Sequence, residues 1–343
     1  TPETYPLIDF CNVLKKGGLY VVATTYENDF RGDCDEFYTI ENMWSFFLNH
    51  CRVKAFPVVS FAPSSFEALH NIVATCGLGA LRPNTIVLPL ETARENALSS
   101  SVEILHTLRG MQNIELPFVS VPLPRAIGDE DFCTMINDVL VLQRNIVVAA
   151  NYAKIQPHGT ELTWPAMRSA FDHPELCTID MVIVGDWDWH VEFSNYLSVI
   201  LQSEIIHRHE NWKHFTLRLI QVLPGRNAEG PFAFELGKLN ELLEEVRVDA
   251  ETKVIGVPES ELKQYENRED FSLHALPFDI LAAVMNPLLQ SVCVNSQMIL
   301  MKLPQPDGDA TEYMKNLHAL VKDLPPILLM NSSTHLPVIT RYI

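Results

Sequence analysis

The sequence lacks long apolar runs, and it has few positive charges to balance its acids. Its longest apolar stretches, such as VLVLQRNIVVAANYA, are broken by polar residues well short of the roughly 20 residues that a membrane-spanning helix requires. Lysine and arginine together number 25 against 43 aspartates and glutamates, which gives a formal charge of −18. Because such a field repels phosphate backbones and anionic lipid, we expect no nucleic-acid partner and no direct binding to an anionic membrane surface.

Motifs that carry chemistry are also missing. The seven cysteines are far apart and form no CxxC pair, which indicates reduced thiols in a reducing compartment. The sequence contains no Walker A loop, no GxSxG elbow and no HExxH motif. We therefore expect neither an enzyme nor a metal protein. Because the sequence opens at Thr1 rather than at a methionine, we also expect it to be part of a longer protein.

The pattern of apolar residues predicts an α/β fold in two halves. Strand-like runs such as GGLYVVATT and TIVLPL alternate with helical patterns along the chain, which is typical of mostly parallel sheets flanked by helices. Residues 153–178 carry three prolines and no sustained period, as expected of a boundary. We predict a first half over 1–155, a linker over 156–178 and a second half over 179–343.

The stretch CGLGALRPNTIVLPL places glycines before an apolar run and raises the question of a phosphate-binding loop. Such loops place their glycines after a strand and before a helix, whereas here a helical pattern precedes Gly77 and Gly79 and a strand follows. Gly77 then suits the end of the helix, and Arg82, Pro83 and Asn84 form a turn into the strand. The order of elements predicts a structural connector.

The densest polar cluster is GDWDWH, which follows the predicted strand TIDMVIVG. Asp186, Asp188 and His190 would therefore lie at the carboxyl end of a strand, where α/β sheets bind ligands, and a hydrolase using them is one alternative. Asp188 also suits the cap of the following helix, and the sequence offers no partner motif with metal-ligand spacing. We expect a cap rather than a catalytic or metal site.

Several stretches of the sequence, taken together, carry a family resemblance. They are LKKGGLYVV, RVKAF, CGLGALRPNTIVL, IDMVIV, ENWKHFTLRLIQV and LPPILLMNSSTHLPVITRYI. In this order they resemble the cytosolic carboxyl-terminal domain of cation-chloride cotransporters over nearly the whole chain, with details most similar to the potassium-chloride branch and its fungal vacuolar relatives. Pro89-Leu90, NSSTHLP and GDWDWH depart from the family pattern, which leaves the subfamily open.

The resemblance implies two universal-stress-protein-like halves that dimerise below a transmembrane core. It implies a regulatory role in electroneutral co-transport of chloride with potassium, sodium or both, and ion-binding residues that belong to the membrane core. The implied partners are that core, a second copy of the chain and regulatory kinases. The implied location is the cytosolic face of the plasma membrane or the vacuole, and no cofactor is required.

An adenine-nucleotide-binding module stays open as an alternative, because stress-protein-like folds include nucleotide binders. ATP or ADP would have to use Leu14 and Lys15 before the first strand, Thr24 at its carboxyl end, and Lys54 nearby. The charge of −18 opposes phosphate binding. We expect nucleotide binding to be weak or absent.

Overall fold

The computed structural model describes residues 4–15, 18–27, 34–78, 81–90, 127–155, 177–185, 193–210, 212–225, 232–258, 273 and 276–333. The strands are β1 Val21–Glu27, β2 Phe56–Ala62, β3 Thr85–Pro89, β4 Asn145–Ala150, β5 Thr178–Val184, β6 Thr216–Gly225, β7 Glu251–Pro258, β8 Ser296–Lys302 and β9 Ile327–Asn331. The helices are α1 Tyr5–Leu14, α2 Cys34–His50, α3 Ser65–Thr75, α4 Asp129–Val141, α5 Phe193–His207, α6 Phe232–Val246, α7 Phe278–Val292 and α8 Ala310–Val321.

The described strands form two sheets. A large sheet has seven strands in the order β3-β4-β9-β8-β5-β6-β7, and a small sheet pairs β1 with β2. All neighbouring strands are parallel except β4 and β9, which are antiparallel. The predicted α/β class with mostly parallel sheets is confirmed.

The large sheet crosses the predicted boundary between the halves. Strand β4 pairs with β9 from Ile146 opposite Asn331 to Ala150 opposite Ile327, so strands from both sides of the boundary share one hydrogen-bonded sheet. Strand β5 begins at Thr178, the last residue of the predicted linker, and residues 156–176 lie outside the described residues. The linker itself stays a prediction.

Alternating side chains of the large sheet enter two apolar clusters, one on each face. In β5, Val182 and Val184 join the first cluster, while Met181 and Ile183 join the second. The first cluster includes side chains from α3, α4, α7 and α8, and the second includes side chains from α1, α5 and α6. Each large apolar side chain buried in this way contributes about 1.5–3 kcal/mol, so helices on both faces hold the sheet.

Two further properties bear on function. None of the helices in the described residues is long and apolar enough to cross a membrane. The described cysteines other than Cys34 are free thiols, namely Cys11, Cys51, Cys76, Cys133, Cys177 and Cys293.

Candidate functional site

The glycine stretch connects helix α3 to strand β3, as its order in the sequence predicts. Ser64 caps the start of α3, because its hydroxyl accepts a hydrogen bond from the Glu67 amide at 3.1 Å. The helix ends where the Cys76 amide donates to the Ile72 carbonyl oxygen at 2.8 Å. The chain then turns at Gly77, which has φ +109°. Gly79 lies outside the described residues.

Gly77 has no room for a side chain. A Cβ atom there would lie 2.5 Å from the Leu81 carbonyl oxygen and 2.8 Å from the Arg82 Cα, both shorter than any normal contact. Pro83 is half-buried and Arg82 is exposed. The Asn84 carbonyl oxygen accepts a hydrogen bond from the Asn145 amide at 2.8 Å. This bond joins the end of the turn to β4.

The structure brings together the two lysines of the expected nucleotide site. The Lys15 ammonium donates to the Lys54 carbonyl oxygen, and the Lys54 amide donates to Asn12 Oδ1 at 3.3 Å. Burial, followed by the charge of Lys54, lowers the pKa of Lys15. Both lysines precede their strands, so they lie at the amino-terminal edge of the small sheet.

The other two residues of that expected site do not join the lysines in a common pocket, because Thr24 lies deeper in the small sheet and the Leu14 side chain packs against the core. Thr24 is the middle residue of β1 and is buried, so the prediction that it lies at the carboxyl end of the strand is wrong, because β1 continues to Glu27. At a rise of about 3.3 Å per residue, Thr24 is roughly 10 Å from the edge where the lysines lie. Leu14 is half-buried against the second apolar cluster. Nucleotide binding at these residues stays a prediction.

A crevice of about 550 Å³ opens where β5 and β8 end. These neighbouring parallel strands are the point where the strand order reverses, which is where open α/β sheets bind ligands. The walls include Val184 at the end of β5 and Lys302 at the end of β8, with Asp309 at the start of α8. The crevice is the best-placed candidate site among the described residues.

Hydrogen bonds fix the walls of the crevice. Tyr313 donates to the Pro304 carbonyl oxygen at 2.8 Å, and Tyr196 donates to the Val184 carbonyl oxygen at 2.9 Å. The Asp309 carboxylate accepts from the Glu312 amide at 3.0 Å and caps α8. Burial raises the pKa of Tyr313, so this phenol stays protonated and keeps its hydrogen bond.

Most of the charged residues that line the crevice are acidic. Four of the lining residues are carboxylates, and Lys302 is the basic one. Carboxylates repel phosphate and attract cations, so this site suits a cationic group and not a nucleotide phosphate. The carboxylates are Asp279, Asp307, Asp309 and Glu312.

The sequence contains one local signal for this crevice. Asp309 is followed three residues later by Glu312 before an apolar helix, which is a helix-start pattern. It marks the loop between β8 and α8, although it does not reveal which strands flank that loop.

The residues of the hydrolase alternative, Asp186, Asp188 and His190, lie outside the described residues. Within the part of the chain that the structure describes, no group of three or more histidines, cysteines or acids could hold a metal ion. The cap, the hydrolase and the absence of a metal therefore all stay predictions.

Comparison with known proteins shows similarity to transporters over most of the chain. It is 22% identical over 348 residues to solute carrier family 12 member 9 of Danio rerio, covering 96% of this chain and 38% of that protein. It is 26% identical over 280 residues to vacuolar cation-chloride cotransporter 1 of Saccharomyces cerevisiae, covering 75% of this chain and 25% of that protein. The chain thus spans well under half of either relative. No family model matches it.

A solved structure shares the fold. The cytoplasmic domain of a prokaryotic cation chloride cotransporter aligns over 98% of this chain and 93% of that chain, with a TM-score of 0.50 and 13% identity. The prediction that the chain is not an enzyme is confirmed by its sequence similarity to transporters over 96% of the chain. The chain is thus similar in sequence to a family 12 solute carrier and to a vacuolar cation-chloride cotransporter, and it shares the fold of the cytoplasmic domain of a prokaryotic cation chloride cotransporter.

Proposed function

We propose that this chain is the regulatory and dimerisation domain of an electroneutral cotransporter of the potassium-chloride type. The observation that carries the proposal is sequence similarity to family 12 carriers over 96% of the chain. In this proposal the domain is attached to a transmembrane core and lies on the cytosolic side of the plasma membrane or vacuole. Regulatory kinases act on it there.

The large sheet supports a mechanical role. Because β4 and β9 pair directly, strands from both predicted halves move as one hydrogen-bonded body. Helices cover both faces of that sheet, so a displacement at one end is passed to the other with little deformation. A rigid body of this kind suits a domain that transmits a signal to a membrane core.

Three apolar side chains on separate parts of the described chain are exposed, and any of them could be covered by a partner. Leu78 is 83% exposed, Phe234 is 69% exposed and Val294 is 70% exposed. Apolar side chains left in water gain free energy when a partner covers them. Attachment to a common membrane would raise the effective concentration of two such domains.

A second candidate function, adenine-nucleotide binding, is favoured by one observation. Lys15 and Lys54 lie together at the edge of the small sheet. The Lys15 ammonium already donates to the Lys54 carbonyl oxygen, which leaves it fewer donors for a phosphate. We therefore propose the transporter domain first.

The experiment measures rubidium uptake, as a tracer of potassium, in cells that produce the full-length transporter carrying this chain. We expect uptake that requires chloride, is insensitive to membrane potential and falls when this chain is deleted. If the transporter carries sodium as well as it carries potassium, the potassium-chloride type is wrong, but the proposed function stands. Uptake that does not depend on chloride would overturn the proposed function.

A further inference from the structure

Two arginines meet at the amino-terminal edge of the large sheet. Arg144 follows α4 and directly precedes β4, with its amide donating to the Val139 carbonyl oxygen at 3.0 Å. Arg82 lies in the turn before β3. The Asn145 amide donates a hydrogen bond to the Asn84 carbonyl oxygen. This bond joins the segment before β4 to the turn before β3, so both arginines lie at the same edge of the sheet.

One nitrogen of the Arg144 guanidinium is buried without a hydrogen-bond partner in the part of the chain that the structure describes. The residue is 6% exposed, and its Nη1 has no hydrogen-bond partner among the described residues. A buried charged donor without an acceptor is costly, which is why such groups in proteins are usually paired. By contrast, the partly buried Arg218 forms a two-bond pair with Asp180, at 2.9 and 2.7 Å.

The charges around Arg144 do not supply the missing acceptor. Burial and the like charge of Arg82 lower the pKa of Arg144, while the nearby Cys76 thiol, whose own pKa is raised by burial, is neutral. No carboxylate of the described residues is among the groups that act on Arg144. Helices α3 and α4 both end nearby, and carbonyl ends of helices favour a cation. None of those carbonyl oxygens accepts a hydrogen bond from Nη1.

We propose that Arg144 and Arg82 form a binding site for a small inorganic anion at this edge of the large sheet. A guanidinium presents paired donors that suit an oxyanion such as phosphate, and its diffuse charge also suits a halide such as chloride. The anion would accept from the buried Nη1, while the exposed Arg82 would cover the solvent side. This site is separate from the acidic crevice and does not depend on the proposed function.

The test uses the 343-residue chain labelled with nitrogen-15 at arginine. The side-chain signals are followed by NMR while sodium chloride or sodium phosphate replaces sodium gluconate at constant ionic strength. We expect the Arg144 signal to shift and to reach saturation. Tighter binding of chloride would identify a halide site, and tighter binding of phosphate would identify an oxyanion site. A shift that never saturates for either anion would overturn the proposal.

Variants separate a site from a general effect of charge. Arg144→Gln should abolish the anion dependence of thermal stability. Arg247→Gln, which removes an exposed arginine just after α6, makes the same change in net charge and should leave that dependence intact. If Arg144→Gln does not fold, Arg82→Gln gives a second test, since it should weaken anion binding about tenfold by removing one charged partner. Equal anion dependence in the Arg82 and Arg247 variants would overturn the proposal.

Discussion

Gly77 shows how one residue can be fixed by backbone geometry rather than by ligand chemistry. Its φ of +109° belongs to a region that side chains resist. The carbonyl oxygen of Leu81 and the Cα of Arg82 occupy the space that a Cβ would need. The glycine is therefore required for the chain to leave α3 and reach β3.

Replacing Gly77 with valine should lower the free energy of unfolding by about 3 kcal/mol, because it adds both strain and a backbone clash. Arg82→Ala, directly after the bridge between Leu78 and Leu81, should change it by less than about 0.5 kcal/mol, because that side chain is exposed. Urea denaturation of both variants checks this. A valine variant as stable as the unmodified chain would contradict the structural role of the turn.

Lys15 is the residue on which the nucleotide alternative depends. We expect ATP and ADP to bind weakly or not at all, because the Lys15 ammonium already donates to the Lys54 carbonyl oxygen and the net charge of −18 repels phosphate. Calorimetry with each nucleotide measures this directly. A micromolar dissociation constant that Lys15→Ala removes and Lys238→Ala retains would contradict the expectation.

At the scale of elements, the sequence predicts the alternation of strands and helices better than it predicts their pairing. Continuous apolar runs identify strands such as β5, which is buried along its whole length, since runs of Val, Ile and Met are typical of parallel sheets covered on both faces. Nothing local in β4 or β9 specifies that their edges meet antiparallel, because that choice depends on packing of the whole chain. The prediction for Thr24 is wrong for a similar reason, because no local feature of the sequence marks where β1 ends.

Helix α8 offers a test at the same scale, because Asp309 caps it and lines the acidic crevice. Asp309→Ala should lower the free energy of unfolding by about 1 kcal/mol through loss of the bond to the Glu312 amide. Asp307→Ala removes the same charge from the same crevice without removing the cap, and it should cost less. Thermal denaturation of the two variants checks the difference, and equal losses would show that charge rather than capping matters.

For the whole molecule, the proposed dimer follows from its exposed apolar side chains and from attachment to a membrane. Light scattering at rising concentration should show monomer passing to dimer, because the isolated domain loses the local concentration that a membrane provides. Phe234→Ser should shift the transition to higher concentration if α6 lies in the interface. A strictly monomeric chain at its highest soluble concentration would contradict the proposal.

For the whole molecule, we propose that this chain serves as the cytoplasmic domain of a cation-chloride cotransporter. The most direct measurement replaces the matching segment of vacuolar cation-chloride cotransporter 1 of Saccharomyces cerevisiae with this chain and records chloride-dependent cation uptake by isolated vacuoles. A chimera carrying Gly77→Val serves as the matched control. We expect the chimera to restore uptake above that of the deletion, and the valine chimera to restore less. A chimera that reaches the vacuole in normal amounts yet transports no more than the deletion would contradict the claim.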